Sequence, residues 1–265
     1  MRAGPPLDAV AIPTAVEAFA DPRAIRAVWR NGLGGVAFEV GAGNDRCFVK
    51  WAPPGSSLDL GAEAARMAWA APFTPVPTVI ASGADAEGAW LATTAIPGEN
   101  AVTDRWRGQP AVAVRAIGER LRALHEALPV EDCPFRWSVD DRVAHARRRA
   151  AAEDHDLEAL RNDHGVATVA VALSMIAEPP SPDRIVVCHG DPCAPNTIID
   201  DDGVWSGTVD LGSLGVADRW ADIAVATWNT RMNYGPGWEG ALLDAYGIEL
   251  DPVRYAYYRL LWDLA

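Results

Sequence analysis

Asp191, Asn196 and Asp210 set two carboxylates and an amide oxygen within twenty residues of this 265-residue chain. An apolar run, Ile185-Val186-Val187-Cys188, has the character of a buried strand, and it delivers His189-Gly190-Asp191 into a loop broken by Pro192 and Pro195. Four residues separate Asp191 from Asn196, and a second carboxylate follows in Val209-Asp210-Leu211-Gly212. Phosphoryl transfer needs a base for the acceptor hydroxyl and oxygen ligands that hold Mg²⁺ against nucleotide phosphates. This spacing suits that task, with Asp191 as base and Asn196 and Asp210 as metal ligands. Ile198-Ile199, a turn at Asp202-Gly203 and residues 205–209 predict a hairpin between them, which returns Asp210 to the end where Asn196 sits. Each residue alone also reads as a turn former or loop cap. The joint spacing, with a strand before each carboxylate, favours function.

The phosphates of ATP need a cation. The 23 cationic side chains comprise a single lysine, Lys50, and hence 22 arginines. A compact ammonium on a flexible stem reaches between α- and β-phosphates, where a planar guanidinium is wider and geometrically fixed. Val36, Phe38 and Val40 alternate with Ala37 and Glu39, and Cys47, Val49 and Trp51 with Phe48 and Lys50, which predicts a hairpin carrying Lys50 on its second strand. Just before it, Gly32, Gly34 and Gly35 form a glycine-rich turn of the kind that lets backbone N–H groups approach phosphates. A helix is predicted over 58–71, ended by Pro72. On it Glu63 shares the apolar stripe of Leu60 and Met67, so an inward carboxylate is expected to pair with Lys50.

Further along, Pro75 to Ile80 and Trp90 to Thr94 read as extended segments around a turn at 83–88, followed by a linker near 94–98. Val114, Ile117, Leu121, Leu124 and Leu128 mark an amphipathic helix stopped by Pro129, with His125 beside its stripe in a structural role. Residues 139–178 read as helical. Arg142, Arg147, Arg148 and Arg149, followed by Glu153, Asp154, Asp156 and Glu158, read as a solvated face. Helices are predicted over 219–232, with Asp222 placed to bond loop N–H groups, over 238–246, and from Asp251 as N-cap through 264. Residues 1–22 give few signals and are read as an irregular entry.

A content of 49% hydrophobic and 22% charged residues is ordinary globular composition, which excludes disordered and fibrous classes. The net charge of −13 argues against nucleic acid or an anionic membrane as partner and suits a polycationic substrate. The longest apolar stretch, around 166–177, is too short to span a bilayer, and a soluble, cytoplasmic monomer is expected. Cys47, Cys133, Cys188 and Cys193 are then reduced. Cys188 and Cys193 lack a second ligand pair and are read as packing residues.

The segments Val187-Cys188-His189-Gly190-Asp191-Pro192-Cys193 with Pro195-Asn196, and Asp210-Leu211-Gly212 with residues 215–224, closely resemble the aminoglycoside O-phosphotransferases. The wording from Cys188 to Cys193 is most similar to the streptomycin 3″-kinases of that family. The resemblance is dense over about forty residues and thinner elsewhere. It implies an α+β, bilobal, protein-kinase-like fold, with a small β-rich N-lobe (1–95) and a larger, mostly helical C-lobe (96–265). It also implies adenine contacts from the linker backbone at Thr94 and Ile96, ATP and Mg²⁺ as cofactors, and an aminoglycoside acceptor, streptomycin at its 3″-hydroxyl. The final helix of such enzymes helps line the drug pocket, which points to Asp263. Their 3′-kinases commonly carry an acidic pair where this chain has Met232-Asn233, which makes Asn233 a candidate substrate residue. One departure is Ser213, where these enzymes often carry Arg. A kanamycin-type 3′-kinase or another small-molecule kinase of the fold (choline, homoserine, macrolide) is the alternative within the class. A catalytically silent nucleotide-binding module is the alternative outside it.

Overall fold

Val36, Phe38 and Val40 are buried on one face of a strand in the computed structural model, as their alternation requires. The structure describes residues 4–152 and 155–265; Glu153 and Asp154, read above as part of an acidic helix face, lie outside them. The chain divides into two compact units, Met1–Ile96 and Pro97–Ala265.

The first unit holds α1 (Thr14–Ala20), β1 (Ile25–Arg30), β2 (Val36–Val40), β3 (Cys47–Ala52), α2 (Leu60–Ala70), β4 (Val79–Asp85) and β5 (Gly88–Thr94). Its antiparallel sheet has the order β1-β2-β3-β5-β4, which seats the Lys50 strand in the middle, opposite Ala37 and Leu91. The predicted β2–β3 hairpin is present. In α2, Asp59 accepts a capping bond from the Ala62 N–H at 2.8 Å, and Leu60, Glu63, Met67 and Ala70 form its buried face. Two readings need correction. Residues 14–20 are helical, because Val16 and Ala20, four apart, bury against the sheet. The turn expected at 83–88 shrinks to Ala86 and Glu87, because the Asp85 carboxylate accepts the N–H groups of Glu87 (2.7 Å) and Gly88 (3.2 Å) and closes the hairpin there.

The second unit holds β6 (Glu99–Asn100), α3 (Asp104–Arg107), α4 (Pro110–Ala127), α5 (Val139–Ala151), α6 (Leu157–His164), α7 (Val169–Ile176), β7 (Ile185–Cys188), β8 (Thr197–Ile199), β9 (Trp205–Thr208), β10 (Gly215–Asp218), α8 (Trp220–Tyr234), α9 (Glu239–Tyr246) and α10 (Pro252–Leu264). A sheet-rich first unit and a helix-rich second one make the expected α+β, kinase-like architecture. Two small sheets, β6-β8-β9 and β10-β7, hold the loops of interest against a core that includes Trp106, Ile117, Leu121, Trp220, Ile223 and Leu261.

The run 139–178 is helical in three pieces, each with its own side-chain cap: Ser138, Asp156 and Thr168. The solvated basic face is also corrected. The Ser138 capping box fixes the phase of α5 so that Arg142 and Ala146, four apart, both face inward, and the Arg142 guanidinium lies 5.5 Å over the Trp137 ring. Arg147 and Arg148 are exposed, while Arg149 donates to the Ala265 carbonyl at 3.0 Å.

Candidate active site

Strand β7 ends at Cys188, and the loop that follows is held by one buried carboxylate. Asp222, in the first turn of α8, accepts the N–H of His189 at 2.6 Å and of Gly190 at 3.0 Å, and the Nε2–H of His125 at 3.0 Å. Burial pushes its carboxyl up, but the His125 bond, the charges of His125 and His189 and the Gly190 N–H outweigh it and hold it below the ordinary range. Asp222 thus does what the sequence assigned it, and His125 serves it from α4 while its Nδ1 meets the Tyr246 hydroxyl at 2.9 Å. Gly190 has φ +84°, and a Cβ there would lie 2.1 Å from the Ser213 carbonyl oxygen, so only glycine fits.

The loop then presents Asp191. Its Oδ1 is buried with no hydrogen-bond partner among the described residues. Burial and the neighbouring Asp210 charge push its carboxyl up, against hydrogen bonds from Cys193 and Asn196. His189 donates from Nε2 to the Val209 carbonyl at 3.0 Å and accepts the Asp191 N–H at Nδ1, 3.2 Å away. Burial and the Arg120 charge lower its pKa to about 4, so this neutral tautomer persists at neutral pH.

The predicted hairpin is β8–β9. Asn196 Nδ2 donates to the Asp191 carbonyl at 2.9 Å, and the Asn196 carbonyl accepts the Val209 N–H at 3.1 Å, so the three sequence-predicted residues are joined through one local network. The Asn196 Oδ1 and the Asp210 carboxylate are hard oxygen donors of the kind Mg²⁺ takes. Asp210, at φ +66°, is the one non-glycine residue with positive φ among the described residues. Such backbone costs about 1–3 kcal/mol and persists where the surroundings impose it, often at functional sites.

Sequence reasoning missed Arg120, Thr208 and Asn229. Arg120 Nη1 donates to Thr208 Oγ1 at 2.6 Å, Thr208 donates on to the Asn196 carbonyl at 3.1 Å, and Asn229 Oδ1 accepts the Ala194 N–H at 2.7 Å. The signal for Arg120 was its phase, three residues past Ile117 and four before Leu124 on the buried face of α4. His125, Cys188 and Asp222 bring ligand atoms within 4.8 Å of one another. His125 and Asp222 are instead hydrogen-bonded to each other at 3.0 Å, Cys188 Sγ donates to the Asp218 carbonyl at 3.3 Å, and buried Arg120 and Arg142 oppose a further cation. Cys188 is therefore a packing residue.

In the first unit Lys50 Nζ donates to Glu63 Oε1 at 2.5 Å, and Glu63 is buried as its helical phase requires. The glycine-rich turn is tied differently from expectation. Asn31 Oδ1 accepts the N–H groups of Leu33 (3.0 Å) and Gly35 (2.8 Å), so the Gly35 N–H is spent inside the loop. Gly34 turns the chain at φ +86°, and Gly32 precedes it in the same turn. Thr94 donates its N–H to the Thr78 carbonyl at 2.9 Å, and Ile96 follows at the end of the unit.

The two candidate substrate residues are both anchored. Asn233 Nδ2 donates to the Asn229 carbonyl and to Asn229 Oδ1, each at 2.9 Å, one step from the loop at Ala194. Asp263 Oδ2 meets His164 Nε2 at 2.6 Å and Arg259 at 2.9 Å, and Arg259 stacks 3.9 Å over Trp228. Asp263 thus has in Arg259 the cationic partner its place at a helix C-terminus calls for.

The profile of the APH phosphotransferase enzyme family matches residues 30–258. An aminoglycoside 3′-phosphotransferase of Streptomyces fradiae is 40% identical over 219 residues, covering 79% of this chain and 81% of the relative. The streptomycin 3″-kinase of Streptomyces griseus is 34% identical over 225 residues, covering 80% and 82%. Among solved structures, the aminoglycoside phosphotransferase APH(3″)-Id of Streptomyces rimosus in complex with ADP and streptomycin superposes with a TM-score of 0.77 at 29% identity, over 95% of this chain and 96% of that one.

Proposed function

Because the chain belongs to the APH phosphotransferase enzyme family, we propose that it transfers the γ-phosphoryl group of ATP to a hydroxyl of an aminoglycoside and so confers resistance to the drug. The observation that carries this reading is the buried, unpartnered Asp191 Oδ1 on a loop bonded to Asn196. Asp191 accepts the proton of the acceptor hydroxyl, and its raised pKa makes it a stronger base for that step. Asn196 and Asp210 hold Mg²⁺. Held there, the ion would supply positive charge to offset the negative charge that develops on the transferring phosphate. Lys50, fixed by Glu63, takes the α- and β-phosphates. The turn at Gly32, Gly34 and Gly35 covers the phosphates, and the backbone of Thr94 and Ile96 receives adenine. With its N–H engaged, Thr94 offers its carbonyl.

For the acceptor, Asp263, set by Arg259 and His164, and Asn233 serve the cationic drug. Streptomycin at its 3″-hydroxyl is the first reading, supported by the motif from Cys188 to Cys193 and by the uncharged Met232-Asn233. Phosphorylation at a 3′-hydroxyl is the second, favoured by the 40% identity to the Streptomyces fradiae relative. Coupled ADP release across a panel of aminoglycosides, followed by ³¹P and ¹H NMR of the products, tests both. Nucleotide binding without drug-dependent ADP release would instead mark a silent nucleotide-binding module.

A further inference from the structure

Arg120 carries a full charge into the interior of the second unit, where it is 1% exposed. Burial lowers its pKa only to about 10, with Asp222 and Asp191 acting against that fall, so it is a cation at neutral pH. Among the described residues only Nη1 of its three nitrogens has a hydrogen-bond partner, Thr208 Oγ1 at 2.6 Å; Nε and Nη2 are buried with none. A buried, under-satisfied guanidinium is an expensive way to fill space, and an apolar side chain of similar length would serve the core as well or better. Its single bond is therefore informative. Having accepted from Arg120, the Thr208 hydroxyl donates to the Asn196 carbonyl at 3.1 Å, the same oxygen that accepts the Val209 N–H at 3.1 Å. Thr208 ends β9 two residues before Asp210, and Asn196 precedes β8. One guanidinium thus grips the hairpin where both proposed metal ligands leave it. Its charge also lies in reach of Asp191 and adds to burial, the larger cause, in keeping His189 neutral.

We infer that Arg120 is a positioning residue: through Thr208 and the Asn196 carbonyl it sets the separation of Asn196 and Asp210, and so the protein's affinity for the metal–nucleotide complex. The inference rests on the reading of Asn196 and Asp210 as metal ligands. Partners one shell out from metal ligands typically govern about 10- to 100-fold in metal affinity or activity.

The test uses the full chain with Arg120→Met, Arg120→Lys and Thr208→Val. Mn²⁺ affinity is measured by electron paramagnetic resonance in the presence of a non-hydrolysable ATP analogue. Steady-state kinetics with both substrates and thermal unfolding accompany it. Arg120→Met is expected to keep a native unfolding midpoint, to weaken Mn²⁺ binding and lower kcat by about tenfold or more, and to leave the acceptor KM unchanged. Arg120→Lys should recover part of the loss, because an ammonium can still donate to Thr208. Thr208→Val keeps the guanidinium and breaks only the link, so it decides the matter if Arg120→Met fails to fold. Wild-type Mn²⁺ affinity in Thr208→Val, or in a folded Arg120→Met, overturns the inference. An unaltered protein that binds no Mn²⁺ with nucleotide overturns both this inference and the metal-ligand reading beneath it. Metal binding that survives in both variants overturns this one alone.

Discussion

Lys50 Nζ lies 2.5 Å from Glu63 Oε1, with the carboxylate buried and the ammonium on a central strand. The pair fixes a compact cation, and a guanidinium in its place would meet Glu63 through a wider, planar fork. Lys50→Arg is therefore expected to lower kcat/KM for ATP by about tenfold or more, equivalent to about 1.4 kcal/mol of lost transition-state stabilisation, while the aminoglycoside KM changes little. Initial rates with ATP varied check this. Wild-type values would return Lys50 to an ordinary surface role.

Asp222 predicts a stability effect with a defined pH sense. Its folded pKa is depressed, so the stability it contributes is present above the unfolded carboxylate range, near pH 4, and is lost as pH falls through the folded value. Asp222→Ala strips three donors at once, two backbone N–H groups and His125, and is expected to cost about 3–5 kcal/mol. Urea unfolding at pH 7 and pH 3 measures both statements. A variant as stable as wild type at pH 7, or a difference that grows on acidification, would contradict them.

Gly190→Ala forces a Cβ against the Ser213 carbonyl at a backbone conformation that alanine avoids. The loop must shift, and with it Asp191. The expected outcome is a fall in kcat of about 100-fold, as for small displacements of a reacting group, with nucleotide affinity retained in a titration with a fluorescent ATP analogue. Near-native kcat would show that the loop tolerates the shift.

Much of this was readable beforehand, and the reasons differ by residue. The β2–β3 and β8–β9 hairpins show in the sequence because one-sided burial imposes a period of two. Glu63 and Asp222 show because a carboxylate in a helix's inward phase, or opposite a loop, has few other uses. Arg120 and Arg142 escaped because an arginine among arginines reads as surface; the phase of their helices, set by Ile117 and by the Ser138 cap, was the better guide. The left-handed backbone at Asp210 leaves no trace in residue pattern. Of the partners of Asp263, His164 escaped because it lies 99 residues away in sequence, whereas Arg259, four residues before it on the same helix, was within reach of the i,i+4 rule and went unread.

Asp263 gives a prediction with an internal control. Asp263→Ala removes a carboxylate from the drug's side and also bares the buried Arg259, so a raised aminoglycoside KM should come with a lower unfolding midpoint. Asp263→Asn keeps a hydrogen-bond acceptor for Arg259 and His164 but loses the charge, so it should raise the same KM, at a cost of about 1–3 kcal/mol in drug binding, with a smaller change in stability. An unchanged aminoglycoside KM in both variants would remove Asp263 from the substrate site and leave it a structural anchor for α10.

The central claim is that Asp191 drives transfer of phosphate from ATP to an aminoglycoside. The most direct measurement is mass spectrometry of streptomycin and of kanamycin after incubation with Mg²⁺, ATP and either the wild-type protein or Asp191→Asn. The account predicts that wild type adds the mass of one phosphoryl group to streptomycin, with matching ADP release, and that Asp191→Asn slows this by about 10²- to 10⁴-fold while still binding nucleotide. Phosphorylation of kanamycin alone would replace the 3″ reading with the 3′ one. No phosphorylated product from either drug, or equal rates for wild type and Asp191→Asn, would contradict the account.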